Sequence, residues 1–321
     1  MIPRLAHYAL LLVTAWLAGC TSMAVKQYDK PSMVESQLKV TPMVTFFDGH
    51  DGRALSQHDV LERTERARVI LFGELHDHAV GLPVASAIWA DRLRLQTVGR
   101  RPALLLEFFE RDHQLAIDDY LAGITDEEAF KTATGRRSTN YPDAHREMFE
   151  ATKAAGGVVF AANAPRRYVR LARTEGYDHL RAFSPAQRAT FVLPRDEQGP
   201  SDYRDRFVQA MGGMDASHGG SGPLDFLRSQ LVWDATMADS VARAHKAGHD
   251  PIALVVGRFH VEFNGATRQF LRHQRPSARV LSIVMVPTWS DTLAEEDKGR
   301  GDIVVYVGPV VRTHEEDDEQ S

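Results

Sequence analysis

The sequence predicts an α/β domain with a mostly parallel sheet, helices on both faces and a helical insertion or lid. Apolar, β-branched runs of strand length alternate with amphipathic segments of helix length, which is typical of a parallel sheet with helical crossovers. With 43% hydrophobic residues among 321, the chain has enough apolar material for one large domain. Two strand-like runs end in Gly-x-x-His, at Gly73 to His76 and at Gly257 to His260.

The elements follow in order along the chain. The predicted strands are 68–73, 103–108, 157–162, 251–256, 279–286 and 302–307. The predicted helices are about 79–97, 111–133, 142–155, 165–175, 224–247 and 263–274. Between 183 and 222, prolines and a Gly/Met/Ser-rich stretch break this alternation, so we expect the helical insertion there.

The first residues predict a secretory signal. Arg4 precedes an apolar stretch, and Leu17-Ala18-Gly19-Cys20 places small residues before a cysteine. The apolar stretch is too short for a comfortable transmembrane helix. The pattern resembles a bacterial lipoprotein signal, which implies cleavage and lipid attachment at Cys20; an ordinary signal with a chance cysteine is the alternative. The predicted segments are a signal peptide at 1–19, a polar tether at 20–40, a domain at 41–310 and an acidic tail at 311–321.

Composition excludes some classes of function. Cys20 is the only cysteine, so the mature domain has no disulfide and no thiolate metal site. The formal charge is −5, and no block of lysine and arginine stands out. We therefore expect no nucleic acid partner.

Polar side chains follow the predicted strands. These residues are Glu74, His76, Glu107, Glu110, Asn163, Arg166 and His260, and Gly257 follows the strand that leads to His260. Carboxyl ends of parallel strands share one sheet edge, where ligands collect. Glu107 follows a buried apolar run, and a buried carboxylate needs a cationic partner. The alternative is that Glu107 is simply the first exposed residue after its strand.

Five motifs together resemble the ChaN family of bacterial haem-binding lipoproteins. The motifs are Gly73-Glu74-Leu75-His76, the strand end at Glu107, Asn163-Ala164-Pro165-Arg166, the segment from Gln230 to Ala238, and Gly257-Arg258-Phe259-His260. ChaN is similar to the TIKI and TraB proteins and, more distantly, to the erythromycin esterases. The resemblance covers about residues 45–290. It implies a membrane-anchored protein of iron uptake that binds haem through tyrosine at a dimer interface.

The haem ligand is harder to place by this resemblance. Tyr141 and His145 lie one helical turn apart and can face one pocket, and Tyr141 is our first choice for the iron ligand. Core packing beside Pro142 is the alternative for Tyr141, and other tyrosines compete with it. Those competitors are Tyr120, Tyr168 and Tyr203. Arg166 can pair with a propionate.

Two functions therefore stand. The first is a haem-binding lipoprotein in haem and iron uptake, anchored in the outer membrane and facing the periplasm, since Thr21 is not the aspartate that implies inner-membrane retention. A homodimer and a haem-uptake receptor are its expected partners.

The second function is a metal-dependent hydrolase, a peptidase or esterase. Glu74, His76 and His260 would bind zinc, manganese or cobalt, and Glu107 would act as general base. In a metal-free version His76 activates water directly, as the esterase resemblance implies. Supporting positions around this site are Gly73, Asn163, Asp234 and Gly257.

Overall fold

A computed structural model describes residues 44–96, 99–137, 140–212 and 222–310. The predicted signal peptide, Cys20, the tether and the acidic tail lie outside the described residues. None of the described helices has both the length and the apolar character needed to cross a membrane.

The described residues form one sheet of eight strands in the order β2-β1-β8-β7-β3-β6-β4-β5. Strands β8 to β5 in this order pair in parallel, and β1 pairs antiparallel with β2 and β8. The strands are β1 (Thr45–Asp48), β2 (Ala54–Leu55), β3 (Val69–Glu74), β4 (Ala103–Glu110), β5 (Val158–Asn163), β6 (Ile252–Gly257), β7 (Val280–Val286) and β8 (Ile303–Tyr306).

Helices cover both faces of the sheet. They are α1 (Gln57–Arg66), α2 (Gly81–Arg94), α3 (Gln114–Leu121), α4 (Glu127–Ala133), α5 (Asp143–Ala154), α6 (Arg166–Arg181), α7 (Pro185–Arg188), α8 (Ser201–Met211), α9 (Pro223–Lys246) and α10 (Ala266–Gln274). Three short 3₁₀ turns span Arg111–His113, Arg258–His260 and Glu295–Asp297. The predicted α/β class, with its mostly parallel sheet, is confirmed.

The central strand β3 shows why the sheet is covered on both faces. Every residue from Val69 to Glu74 is buried, as expected for a parallel strand between two helical layers. Ile70 and Phe72 pack on one face with Trp89 of α2. Val69 and Leu71 pack on the other face with residues of α9. Because successive side chains of β3 point to opposite faces of the sheet, this strand contributes to two separate apolar cores.

The structure differs from the predicted elements in two places. The strands β1 and β2 and the helix α1 were not predicted, because the strands have only four and two residues and the helix carries few apolar residues. The predicted helix 111–133 is a 3₁₀ turn followed by α3 and α4. Gly123, with a φ of 72°, lies in the left-handed region between them, a conformation that ends a helix. Within the predicted insertion, α7 and α8 are helical.

Candidate functional site

A cavity of about 600 Å³ lies over the carboxyl ends of four adjacent strands, β3, β6, β4 and β5. Each strand contributes polar groups that the sequence singled out, namely Glu74, His76, Gly257, His260, Glu107, Glu110, Asn163 and Arg166. The predicted convergence of these side chains at one sheet edge therefore corresponds to a real cavity. His145 from α5 and Gln230 from α9 complete its wall.

Glu74 lies at the centre of a buried hydrogen-bond network. His76 donates from Nδ1 to Glu74 Oε1 over 2.9 Å, and His145 donates from Nε2 to Glu74 Oε2 over 2.7 Å. Burial alone would raise the pKa of the Glu74 carboxyl, but the two histidines outweigh it and lower the pKa to about 2. The second histidine of this pair, His145, is the residue that was predicted as a haem contact.

His76 faces the cavity with 68% of its side chain exposed. Its hydrogen bond to Glu74 raises the pKa of the imidazole above the usual 6.5, against the effect of burial. In the neutral imidazole, with Nδ1 donating to Glu74, the second ring nitrogen Nε2 is the proton acceptor. Nε2 lies beside Gly257, where an added Cβ would come within 3.0 Å of it. A glycine at position 257 therefore leaves the room that this imidazole occupies.

His260 is buried between two carboxylates. Its Nδ1 is 2.8 Å from Asp234 Oδ1, and its Nε2 is 3.5 Å from Glu107 Oε1. Burial lowers the pKa of the His260 imidazole, but Asp234 and Glu107 outweigh it and raise the pKa to about 9. His260 is thus an imidazolium at neutral pH, and it supplies the cation that Glu107 was expected to need.

A bulge in the sheet positions Glu107. The pairing of β4 with β5 shifts register between Leu106 and Glu110, and such irregularities re-aim side chains at strand ends. Glu107 Oε2 then accepts a hydrogen bond of 2.6 Å from the backbone N–H of Gly257. The carboxylate therefore joins the ends of β4 and β6.

Asp234 anchors His260 from helix α9. The side chain of Asp234 is 0% exposed, and it accepts hydrogen bonds from Thr267 Oγ1 over 2.6 Å and from the Tyr203 hydroxyl over 2.8 Å. Three donors therefore surround one buried carboxylate, as its charge requires. The sequence pointed to Asp234 as a partner of a site histidine, named Tyr203 only as a competing haem ligand, and gave no signal for Thr267.

Gly73 serves packing at the strand end. An added Cβ there would meet Val261 at 2.9 Å and the Arg258 backbone at 3.2 Å. The 3₁₀ turn that carries His260 can therefore approach β3 only because residue 73 has no side chain.

Tyr141 does not line this cavity. Its ring is buried and stacks on Phe108 at 5.9 Å, within an aromatic cluster that includes Phe109 and Phe130. It borders a smaller neighbouring cavity of about 270 Å³ together with Asp77 and His78. Burial raises the pKa of the Tyr141 phenol above its usual range.

Arg166 and Asn163 lie at the β5 end of the main cavity. Arg166 opens helix α6 with 85% of its side chain exposed, 3.9 Å from Glu110. Beside it is Arg136, which the sequence gave no reason to select because it lies in a connecting segment after α4.

Two of the competing tyrosines make contacts elsewhere in the fold. The Tyr120 hydroxyl donates to Glu150, and Tyr168 packs against Phe183 and Phe191.

The side chains do not present Glu74, His76 and His260 as a ready metal-ligand set. Both oxygens of Glu74 already accept hydrogen bonds from histidines, so a metal could use only the remaining lone pairs of that carboxylate. Among the described residues, the group whose ligand atoms lie close enough for one ion is Glu110, Asp112 and His113. Asp112 of that group pairs with Arg167 at 2.7 Å.

Fold and site together define an α/β protein with a histidine- and carboxylate-lined cavity at the carboxyl edge of a parallel sheet. A family model described as "Haem-binding uptake, Tiki superfamily, ChaN" matches residues 60–271. The chain belongs to this family, as its motifs predicted. No curated protein matches the chain.

The fold is shared with a solved structure that binds haem, and a weaker likeness to an esterase is also found. ChaN of Campylobacter jejuni, described as binding haem cofacially, has a TM-score of 0.64 at 13% identity over 82% of this chain and 96% of that chain. The erythromycin esterase EreC, in its open conformation, has a TM-score of 0.40 at 13% identity over 84% of each chain.

Proposed function

We propose that this protein is a haem-binding lipoprotein of the cell envelope that takes part in haem and iron uptake. The observation that carries the proposal is the match of the haem-binding uptake family to residues 60–271. The fold shared with ChaN of Campylobacter jejuni, a protein described as binding haem, agrees with it. The lipoprotein signal ending at Cys20 would anchor the protein in the outer membrane, with a homodimer and a haem-uptake receptor as partners.

Tyr141 remains our first choice for the iron ligand. Tyrosinate is an established axial ligand of haem iron. The raised pKa of the buried phenol disfavours tyrosinate without iron, so ligation would require ferric iron to displace the phenolic proton. His145 is a weaker candidate for the iron ligand. Its Nε2 already donates to Glu74, and its Nδ1 is buried, with no hydrogen-bond partner among the described residues.

A hemin titration of the protein, followed through the Soret band, tests this proposal. We expect saturable binding at micromolar affinity or tighter, with the spectrum of a tyrosinate-ligated ferric haem. Apomyoglobin serves as a positive control. Weak binding that fails to saturate would contradict the proposed function.

A second candidate function, metal-free hydrolysis of an ester or amide, is favoured by the His76–Glu74 pair beside the His260 imidazolium. His76 Nε2 is oriented as a proton acceptor, and His260 lies within the same cavity as a cationic donor. This arrangement supplies a general base and an electrostatic stabiliser within one cavity.

The reaction would run through water. His76 Nε2 takes a proton from water, whose oxygen bonds to the carbonyl carbon while the C=O electron pair moves to oxygen. The His260 imidazolium stabilises that oxyanion. When the oxyanion re-forms the C=O double bond, the bond to the leaving group breaks, and the leaving group takes the proton from His76. Glu74 orients His76, and Asp234 orients His260.

Replacing His76 with alanine tests the hydrolase candidate. With 4-nitrophenyl esters as substrates, we expect kcat/KM to fall by about 10²- to 10⁴-fold, the contribution of a general base. Activity should survive EDTA, and His273→Ala, an exposed histidine outside the cavity, should not change it. If His76→Ala hydrolyses the esters like the wild type, the candidate fails, whatever the outcome with hemin.

A further inference from the structure

Two arginines converge on the β5 side of the main cavity. Arg136 comes from the segment after α4, and Arg166 comes from the start of α6, yet both line the same wall. The Arg136 guanidinium lies over the Phe108 ring, 3.8 Å from its centroid, which fixes its position. Two guanidinium cations at one wall of a cavity repel each other unless an anion lies between them.

The nearby acidic residues do not balance the two positive charges of Arg136 and Arg166. Burial lowers the pKa of Arg136, and the nearby charge of Arg166 lowers it further. Glu110 is the acidic residue of the cavity on this side, and it lies 3.9 Å from Arg166, a loose contact. Two guanidinium groups thus share one carboxylate at this wall, and one positive charge remains for a ligand.

Neutral donors add to the same wall. Helix α6 begins at Arg166 and is unbroken for ten residues, up to the non-helical Gly176, so the positive end of its dipole lies at this part of the cavity. Asn163 ends β5 directly before it, and its Oδ1 accepts from the Ala164 N–H, which leaves its amide N–H₂ group as the available donor. Charge, dipole and amide therefore favour an anion at one place.

The sheet order gives the distance from this wall to the histidines. His260 follows β6 and Asn163 ends β5, and β4 lies between these two strands. Adjacent strands are about 4.8 Å apart, so the two ends of the cavity are separated by about 10 Å. A ligand that spans the cavity would have its anionic group at the β5 end, about 10 Å from the part of the ligand that lies near His76 and His260.

We infer that the Arg136–Arg166 wall is a carboxylate-binding subsite of the cavity. It receives the carboxylate of a ligand that enters the cavity at the β5 end. Planar guanidinium groups bind carboxylates in two-point contacts, which suits the paired arginines. This inference deepens the proposed function and rests on it in one respect, because the carboxylate is a haem propionate only if the protein binds haem. A small free carboxylate is the other source of that group.

Three variants and three probes test the subsite. The variants are Arg136→Gln, Arg166→Gln and, as a matched control, Arg167→Gln, the next residue of the same helix, which pairs with Asp112 and lies outside the cavity wall. The probes are hemin, hemin dimethyl ester and benzoate, titrated into the full chain by absorbance or calorimetry. Arg166 is highly exposed, so its replacement keeps the fold even if Arg136→Gln destabilises it.

We expect Arg136→Gln and Arg166→Gln each to weaken hemin binding by about 10- to 100-fold, the usual loss of a charged hydrogen bond. Arg167→Gln should bind like the wild type, and the dimethyl ester should bind all four proteins alike. Such a pattern identifies the ligand group as a propionate. Benzoate binding that depends on both arginines, with hemin binding insensitive to them, identifies a small free carboxylate instead.

The failures are distinguishable. If the wild type does not bind hemin, the proposed haem function is wrong, and the benzoate titrations alone test the carboxylate subsite. Saturable benzoate binding that both cavity variants weaken supports the subsite in that case, and its absence overturns it. If hemin binds tightly but neither probe responds to Arg136→Gln or Arg166→Gln, the subsite is overturned while the haem function stands.

Discussion

Replacing Asp234 with alanine is expected to lower the free energy of unfolding by about 3–5 kcal/mol, the usual effect of removing one partner from a buried charge pair. The variant would leave the His260 imidazolium, the Thr267 hydroxyl and the Tyr203 hydroxyl without their shared acceptor. Urea denaturation measures the loss. Asp178→Ala, whose carboxylate is 94% exposed beside Arg181, is the matched control and should cost less than about 1 kcal/mol.

The same substitution should change the pH dependence of stability. The folded pKa of His260, about 9, lies above its unfolded value near 6.5. The wild type therefore gains stability that is complete below pH 6.5 and is lost as pH rises through 9. At about 1.4 kcal/mol per pH unit, that span corresponds to about 3 kcal/mol. Asp234→Ala should flatten this part of the curve; an unchanged slope would show that Asp234 does not hold the imidazolium.

Replacing Tyr141 with phenylalanine is expected to have the second large effect, the loss of tyrosinate ligation of haem. We expect the affinity for hemin to fall by at least about 100-fold, since an axial iron bond is removed while the ring and its stacking on Phe108 remain. Hemin titration measures the affinity, and the charge-transfer band of the ferric complex reports the ligand. Because only one oxygen is removed, stability should change little.

Tyr120→Phe is the matched control for this prediction. Tyr120 lies in the same aromatic cluster and stacks on Phe130 at 4.8 Å, but its hydroxyl donates to Glu150. It should therefore bind hemin like the wild type. His76→Ala should also retain hemin affinity. Identical haem spectra for the wild type and Tyr141→Phe would assign the iron ligand to another residue.

Part of the site could be predicted from the sequence because the signal was local. Each parallel strand is an apolar run followed at once by its polar residues, and all parallel strands end at one edge of the sheet. The positions of Glu74, His76, Glu107 and His260 followed from that rule alone. The edge strands β1 and β2 gave no such signal, because four- and two-residue strands are too short for a recognisable period.

By itself, then, the sequence determined the α/β class, the edge of the sheet at which the polar residues gather, and the family. Only the tertiary structure decided how those residues pair: that His145 of α5 and His76 share Glu74, that Tyr203 and His260 share Asp234, and that Arg136 joins Arg166. The physical reason is that hydrogen bonds and ion pairs depend on distance in space. Helices and connecting segments remote in sequence reach the cavity only when they pack on the finished sheet.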